Sequence, residues 1–205
     1  GFEVLEAASS SDTNFNYIPK NVSVDNNSDY LHFTSNNTIF GTQFKEIPQS
    51  SLPLVCDMSS DIFSREINVA DYDLIYAGAQ KNMGPAGTTL YIVKNEVLGK
   101  STSSFMPTYL DLKTHAEKDS MFNTPPVFPV YASMLNLRHL IANGGVKAAE
   151  DRNEAKAALL YNEIDNNPLF KGTVAKEDRS NMNVTFLMND DARADEFNAL
   201  WQKNN

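Results

Sequence analysis

Lys81 is a lone lysine in a turn of small residues, within the string AGAQKNMGPAG at positions 77–87. Its neighbours offer few polar contacts, so we expect the amine to be partly removed from water, which favours the neutral form. A neutral amine is what condensation with an aldehyde requires, so Schiff-base chemistry is one role for this residue. The other role is structural, with the aliphatic stem covering the turn and the charged end in water. The turn alone favours the structural role.

Asp57 ends the apolar run LPLVCD at positions 52–57. If this run is a strand of a parallel sheet, Asp57 lies at the carboxyl edge, where open α/β sheets bind ligands. Pyridoxal phosphate needs a lysine for its aldehyde and a carboxylate that keeps its pyridine nitrogen protonated. Asp57 and Lys81 fit this pair of requirements. Taken alone, Asp57 is equally typical of a turn or of a helix cap.

Four further polar residues are candidates for the remaining atoms of such a cofactor. Thr38 follows the run LHF and could bond the ring hydroxyl, and Gln80 could cover a ring face or bond the phosphate. Asn123 and Thr124 belong to the segment SMFNTPP at 120–126, a proline-anchored loop that could donate to the phosphate. For each of the four, the alternative is a purely structural role in a turn or connecting loop, where small polar residues are common.

Composition excludes several other classes of function. The 17 Lys and Arg against 26 Asp and Glu give a net charge of −9, and no basic block occurs, which disfavours nucleic acid as a partner. No apolar run has the length of a membrane span, and no secretory signal opens the chain. The single cysteine, Cys56, cannot form a disulfide within the chain, and the three histidines lack metal-ligand spacing. We therefore expect a cytoplasmic protein without a metal site.

Four short apolar runs in the first half predict the strands that position these residues: DYLHFT, LPLVCD, YDLIYA and TTLYIV. Runs that are apolar almost throughout are typical of strands buried on both faces, as in a helix-covered parallel sheet. The segments between them are too short to hold a helix in every gap. We therefore expect one antiparallel pair, formed by the two strands that flank the Lys81 turn.

The second half of the chain predicts helices. Apolar residues at helical spacing over 130–145 end at a glycine pair, a second helix is expected over 146–167, and a third, with an Asp cap, over 191–203. The run NVTFLM at 183–188 predicts a strand. We place a domain change at the glycine pair, which predicts a large domain over residues 1–146 and a smaller α/β domain beginning over 147–205.

Residues 57–93 closely resemble the phosphoserine aminotransferase family, a class V, fold-type-I family of pyridoxal-phosphate enzymes. The resemblance rests on the phrase DMSSD, on AGAQKNMGPAG, and on the later phrases SMFNTPP, LIANGGV and RSNMNV, and it covers residues 30 to 188 in order. It implies an aspartate-aminotransferase-like α/β fold with a mostly parallel sheet in the large domain and the start of a smaller C-terminal domain. The family is usually homodimeric.

The resemblance also implies residue roles. Lys81 would bind pyridoxal 5′-phosphate as a covalent aldimine and then move the substrate proton from Cα to C4′. Asp57 would bind the pyridine nitrogen. The other cofactor contacts would be Thr38 and Gln80, with Asn123 and Thr124 reaching the phosphate of the partner subunit's cofactor.

The implied reaction is reversible amino transfer between L-glutamate and 3-phosphohydroxypyruvate, which gives O-phospho-L-serine and 2-oxoglutarate in serine biosynthesis. Relatives also serve pyridoxine biosynthesis. The family's upstream phosphate loop and ring-stacking tryptophan have no match, since Trp201 lies in the last helix. We therefore expect a central fragment that lacks both ends and is inactive alone. Two alternatives stay open: a non-catalytic α/β interaction module, and another fold-type-I enzyme of the same cofactor.

Overall fold

The computed structural model describes residues 3–100 and 106–204. The chain forms two compact units. The first, which we call the sheet unit, comprises Ser23–Ser35 and Gln49–Glu150; the second, the C-terminal unit, comprises Gly1–Val22, Asn36–Pro48 and Asp151–Asn205. The division into domains over 1–146 and 147–205 stays a prediction, because compactness within one chain does not by itself define a domain.

The sheet unit contains a four-stranded sheet in the order β1-β2-β3-β4. The strands are β1 (Leu31–Thr34), β2 (Leu54–Asp57), β3 (Leu74–Gly78) and β4 (Thr89–Val93). The first three are parallel, and β4 pairs antiparallel with β3. The prediction of a mostly parallel α/β sheet is therefore confirmed, and the antiparallel pair flanks the Lys81 turn as expected.

One face of this sheet is buried. Side chains alternate between the two faces of a strand, and every second residue of β1, β2 and β3 points into the core. The buried residues are Leu31, Phe33, Leu54, Cys56, Ile75 and Ala77. The residues between them are half-buried or exposed. The expectation that these strands are buried on both faces is wrong for the described residues.

The sheet unit also contains α1 (Leu112–Glu117), capped by the Asp111 side chain, and α2 (Val127–Ala142). The second begins directly after Pro126, earlier than the apolar pattern predicted, because proline is well tolerated next to a helix start. It ends before Gly144, whose φ of +93° is a conformation that glycine adopts without strain. Helix α3 (Gly145–Asn166) follows and continues into the C-terminal unit.

The C-terminal unit holds β5 (Phe170–Gly172), β6 (Phe186–Met188) and α4 (Ala194–Asn204). The two strands pair antiparallel, and an aromatic cluster of Phe170, Phe186 and Phe197 packs between them and α4, with ring centroids 5.2 to 6.2 Å apart. A single turn of 3-10 helix precedes α4 and is capped by Asp190, so the predicted helix begins later than expected. Other 3-10 turns are Ser11–Thr13, Val69–Asp71, Thr108–Leu110 and Lys176–Asp178.

Among the described residues, none of the helices combines the length and apolar character that a membrane span requires. Within residues 3–100 and 106–204, no three His, Cys, Asp or Glu side chains lie together as metal ligands would.

Candidate functional site

The sheet unit brings Asp57 and Lys81 to the same edge of one sheet. Asp57 is the last residue of β2, and Lys81 follows three residues after Gly78, the last residue of β3. Because β2 and β3 are parallel, their carboxyl ends lie side by side. This edge is where open α/β sheets place their ligands.

Asp57 is held by groups of its own loop and of the neighbouring strand. One carboxylate oxygen accepts a hydrogen bond from the backbone N–H of Ser59 at 2.8 Å. Across the strand pair, Asp57 lies opposite Tyr76. The pKa of Tyr76 is raised to about 12, first by burial and then by the negative charge of Asp57 and the hydrogen bond to it. The Ser59 N–H therefore bonds the carboxylate within its own loop, and the phenol of Tyr76 faces it from the neighbouring strand.

The Lys81 turn is closed by backbone hydrogen bonds. The N–H of Gly84 donates to the carbonyl of Ala79 at 2.7 Å, and the N–H of Ala79 donates to the carbonyl of Thr88 at 3.0 Å. Ala79 is completely buried, whereas the Lys81 side chain is exposed. The expectation that the turn removes Lys81 from water is therefore wrong within the described chain, because the small residues pack beneath the turn and not around the amine.

A hydrogen bond from α2 fixes the far side of this turn. The side-chain amide of Asn136 donates to the carbonyl oxygen of Met83 at 2.9 Å and to that of Asn82 at 3.3 Å. The amide of Asn82 in turn donates to the carbonyl of Ile62, in the segment that follows β2. The turn is therefore tied to both a helix and the loop beyond Asp57.

The glycines of the turn allow α2 to approach closely. A Cβ at Gly84 would lie 3.0 Å from the backbone Cα of Ser133, and a Cβ at Gly87 would lie 2.8 Å from a ring carbon of Pro129. Pro129, Ser133 and Asn136 are four and three positions apart, so they share one face of the helix. Gly87 also has a φ of +123°, which side chains rarely adopt. Helix packing explains these small residues.

Three other predicted site residues belong to the same unit. Gln80 is exposed next to Lys81, and its side chain lies over Gly78, where a Cβ would meet the amide oxygen at 2.5 Å. Asn123 and Thr124 are exposed in the segment directly before α2. All three present polar groups at the surface of the chain.

Thr38 belongs to the C-terminal unit, whereas the other predicted site residues belong to the sheet unit. It is exposed, and its carbonyl oxygen accepts a hydrogen bond from the side-chain amide of Asn183 at 2.9 Å. Asn183 also accepts from the amide of Asn36 at 2.9 Å, and Ser180 donates to the Asn36 side chain. The phrase RSNMNV therefore supports the loop that carries Thr38.

Sequence reasoning missed the groups that hold these side chains in place. The side chains of Ser59, Asn136 and Asn183 form hydrogen bonds with backbone groups of segments that are distant in sequence. An isolated polar residue in a helix or loop gives no signal of such a contact. The string RSNMNV was the only available pointer, and it rested on resemblance.

Residues 3–204 match the Aminotransferase class-V family. The chain is 58% identical over 199 residues to the phosphoserine aminotransferase of Flavobacterium psychrophilum, which covers 97% of this chain and 56% of that protein. The chain spans about half the length of the curated relatives it matches.

Solved structures agree with this similarity. The phosphoserine aminotransferase of Bacillus circulans subsp. alkalophilus superposes with a TM-score of 0.92 at 38% identity, over 97% of this chain and 56% of that one. A phosphoserine aminotransferase from Trichomonas vaginalis, solved with bound PLP, superposes with a TM-score of 0.79 at 32% identity, over 84% of this chain and 50% of that one. The fold is therefore that of fold-type-I pyridoxal-phosphate enzymes.

Proposed function

Because this chain belongs to the class-V aminotransferase family, we propose that it carries the lysine–aspartate half of a pyridoxal-phosphate site in a phosphoserine transaminase. The observation that carries the proposal is the position of Asp57 and Lys81 at one edge of a parallel sheet. The relatives named above support it, since they are phosphoserine aminotransferases and one contains PLP.

The residues at the sheet edge fit this cofactor. A primary amine on an exposed turn can reach an aldehyde, and a carboxylate fixed by Ser59 can accept a hydrogen bond from a protonated ring nitrogen. Gln80 lies beside the amine and could contact the ring or the phosphate. In the proposed site, Thr38 adds a contact from its own loop, which Asn183 supports.

The proposed division of labour follows from these groups. When bound, pyridoxal phosphate supplies an electron sink for the carbanion left at the substrate Cα. Lys81 would hold the cofactor through its aldehyde carbon and would carry the proton between Cα and C4′ as general base and acid. Asp57 would keep the ring nitrogen protonated. Because Lys81 and Asp57 must act on the same bound cofactor, the turn that carries Lys81 must be held in position relative to Asp57.

We propose L-glutamate and 3-phosphohydroxypyruvate as substrates, with O-phospho-L-serine and 2-oxoglutarate as products of the reversible reaction. This places the protein in serine biosynthesis, and a longer phospho-keto acid would place it also in pyridoxine biosynthesis. The identity of 58% to a phosphoserine aminotransferase supports this choice over other reactions of the class-V family.

A homodimer is the proposed assembly. The segment that carries Asn123 and Thr124 and the helix after it expose many large apolar side chains, a surface typical of protein interfaces. The exposed residues are Met121, Phe122, Val127, Phe128, Val130, Tyr131, Leu135 and Ile141. Asn123 and Thr124 lie within this surface, which supports their proposed contact with the phosphate in the partner subunit's site.

We further propose that the protein is cytoplasmic, has neither nucleic acid nor membrane as a partner, and needs more than these 205 residues for turnover. The free thiol of Cys56 and the net charge of −9 support the first two statements. The exposure of Lys81 and Gln80 supports the third, since an active site must exclude water. Turnover by the isolated chain would contradict the third statement.

An assay of the protein as its gene encodes it tests the function. With glutamate and 3-phosphohydroxypyruvate, we expect O-phosphoserine to form in the unsubstituted protein and not in Lys81→Ala. Alanine and glyoxylate serve as an alternative substrate pair. If the protein turned over alanine and glyoxylate but not 3-phosphohydroxypyruvate, the assignment to the class-V family would stand and the proposed substrates would be overturned.

A further inference from the structure

His32 and Tyr76 form a pair on the open face of the sheet. The Nε2 atom of His32, on β1, lies 3.0 Å from the hydroxyl oxygen of Tyr76, on β3. The two rings are stacked, with centroids 5.9 Å apart and an angle of 25° between their planes. Strand β2, which ends at Asp57, runs between β1 and β3. The pair therefore extends from one neighbour of β2 to the other.

Tyr76 is also the cross-strand neighbour of Asp57. Directly paired residues of adjacent strands place their side chains on the same face, so the hydroxyl and the carboxylate share the open side of the sheet. The raised pKa of Tyr76 agrees with this contact, because burial, the Asp57 charge and the hydrogen bond all favour the protonated phenol. The phenol is therefore available as a donor.

The number of protons decides the direction of the hydrogen bonds. A carboxylate can only accept, so between the facing side chains of Tyr76 and Asp57 the phenol is the donor, with its single hydroxyl proton. The bond between Tyr76 and His32 then requires the histidine to donate through Nε2. Asp57 Oδ1 also accepts a hydrogen bond from the backbone N–H of Ser59 at 2.8 Å.

We propose that Tyr76 and His32 are positioning residues for Asp57: His32 Nε2–H donates to the Tyr76 oxygen, and Tyr76 O–H donates to the carboxylate. These two hydrogen bonds and the N–H of Ser59 fix the orientation of the carboxylate before the cofactor binds. Binding of the ring nitrogen then costs no further rotational freedom of the Asp57 side chain. The proposal rests on the proposed function, because the ring nitrogen is what Asp57 is positioned for.

The test compares Tyr76→Phe with Tyr91→Phe in the protein as its gene encodes it. Tyr91 is the cross-strand neighbour of Tyr76 on β4, with ring centroids 6.3 Å apart, so the same atom is removed one strand further from Asp57. We expect Tyr76→Phe to raise the apparent Kd for pyridoxal phosphate about tenfold, the usual effect of a lost hydrogen bond to a charged group. Tyr91→Phe should stay within about twofold of the unsubstituted protein.

The absorption spectrum of the bound cofactor gives a second readout, because it responds to protonation of the ring. We expect the band to shift in Tyr76→Phe and not in Tyr91→Phe, with similar thermal midpoints for the two cofactor-free proteins. Equal Kd values and equal spectra for the two variants would overturn the positioning role. Failure of the unsubstituted protein to bind pyridoxal phosphate would instead overturn the proposed function itself.

Variants of His32 test whether it acts through Tyr76. His32→Gln retains a donor and should bind the cofactor within about twofold of normal, whereas His32→Leu should weaken binding about threefold, as expected for a lost bond between neutral groups. Combined with Tyr76→Phe, His32→Leu should add nothing, because its only route to Asp57 is already gone. Additive effects would show that His32 acts independently and would contradict the proposed chain.

Discussion

The backbone N–H of Gly78 donates a hydrogen bond to Ser59 Oγ at 3.0 Å. Ser59 lies two residues after Asp57, and Gly78 lies three residues before Lys81. The hydroxyl therefore links the loop of the carboxylate to the strand end that leads to the lysine. The same residue contacts Asp57 through its own backbone N–H.

Ser59→Ala should therefore weaken both the sheet edge and the binding of pyridoxal phosphate. An N–H that loses its partner costs about 1 to 3 kcal/mol when it is buried, and we expect the lower half of this range because Gly78 is only half-buried. Urea denaturation measures the change. Ser51→Ala is the matched control, since its hydroxyl bonds Asn26 at the exposed surface. Equal losses in the two variants would contradict the linking role of Ser59.

Gly84→Ala should lower the stability of the fold, whereas Gly78→Ala should mainly displace a neighbouring side chain. At Gly84 the new Cβ meets the backbone of α2, so we expect the free energy of unfolding to fall by about 1 to 3 kcal/mol. At Gly78 the Cβ meets only the flexible end of Gln80, which can move away. Gly78→Ala should therefore lose little stability while displacing Gln80 from its place beside Lys81.

Denaturation curves of the two glycine variants and their affinities for pyridoxal phosphate separate these effects. Replacing Ser133 by glycine in the Gly84→Ala background should recover part of the lost stability, because the Oγ and Cβ contacts disappear. An equal loss of stability at Gly78 and Gly84 would contradict the close packing of the turn against α2.

The ion pair between Asp165 and Arg179 should make stability depend on pH. Two hydrogen bonds from the Arg179 guanidinium, at 2.7 and 2.9 Å, and then one from Lys176 lower the pKa of Asp165 to about 2. The carboxyl has an ordinary pKa of about 3.9 in an unfolded chain. A lowered folded pKa contributes stability that is full above the unfolded value and is lost as the pH falls towards 2.

The measurement compares the unsubstituted protein with Asp165→Asn between pH 6 and pH 2. We expect the difference in their free energies of unfolding to be constant above about pH 5 and to shrink below about pH 4. Glu117→Gln provides the control, because Glu117 and Lys113 are exposed and 3.8 Å apart. Such surface pairs contribute little. A difference that grows on acidification would contradict the assignment.

Cys56 should be nearly inert in the folded protein. Burial first, and then the charge of Asp61, raise the pKa of its thiol to about 12. At pH 8 the thiolate fraction is then lower by about three orders of magnitude than for a free cysteine. We expect alkylation by iodoacetamide to be slow in buffer and fast in guanidinium chloride. Rapid alkylation in buffer would contradict the burial of this thiol and would favour the alternative of another fold-type-I enzyme of the same cofactor.

The strands were predictable because they are short apolar runs, and the antiparallel pair that flanks the Lys81 turn followed from the short segments between the runs. Lys81 and Asp57 were placed at one sheet edge by the same reasoning. The exposure of Lys81 was not predictable, because small residues in a turn give no sign of whether they pack around a side chain or beneath it.

The roles of Tyr76 and Asn136 could not be predicted for a related reason. An aromatic residue in a strand is usually part of the core, and nothing in the local sequence shows that Tyr76 stands on the open face beside Asp57. Asn136 reaches a turn more than fifty positions earlier in the chain. Contacts of this kind depend on the fold as a whole and have no local pattern.

The central claim is that Lys81 bonds the aldehyde of pyridoxal phosphate while Asp57 faces its ring nitrogen. Incubation of the protein with pyridoxal phosphate, reduction with borohydride and peptide mapping by mass spectrometry test it most directly. We expect a single label on Lys81, absent in Lys81→Ala and retained with reduced occupancy in Asp57→Asn. Labels spread over surface lysines such as Lys20 and Lys176, with Lys81 unmodified, would contradict the account.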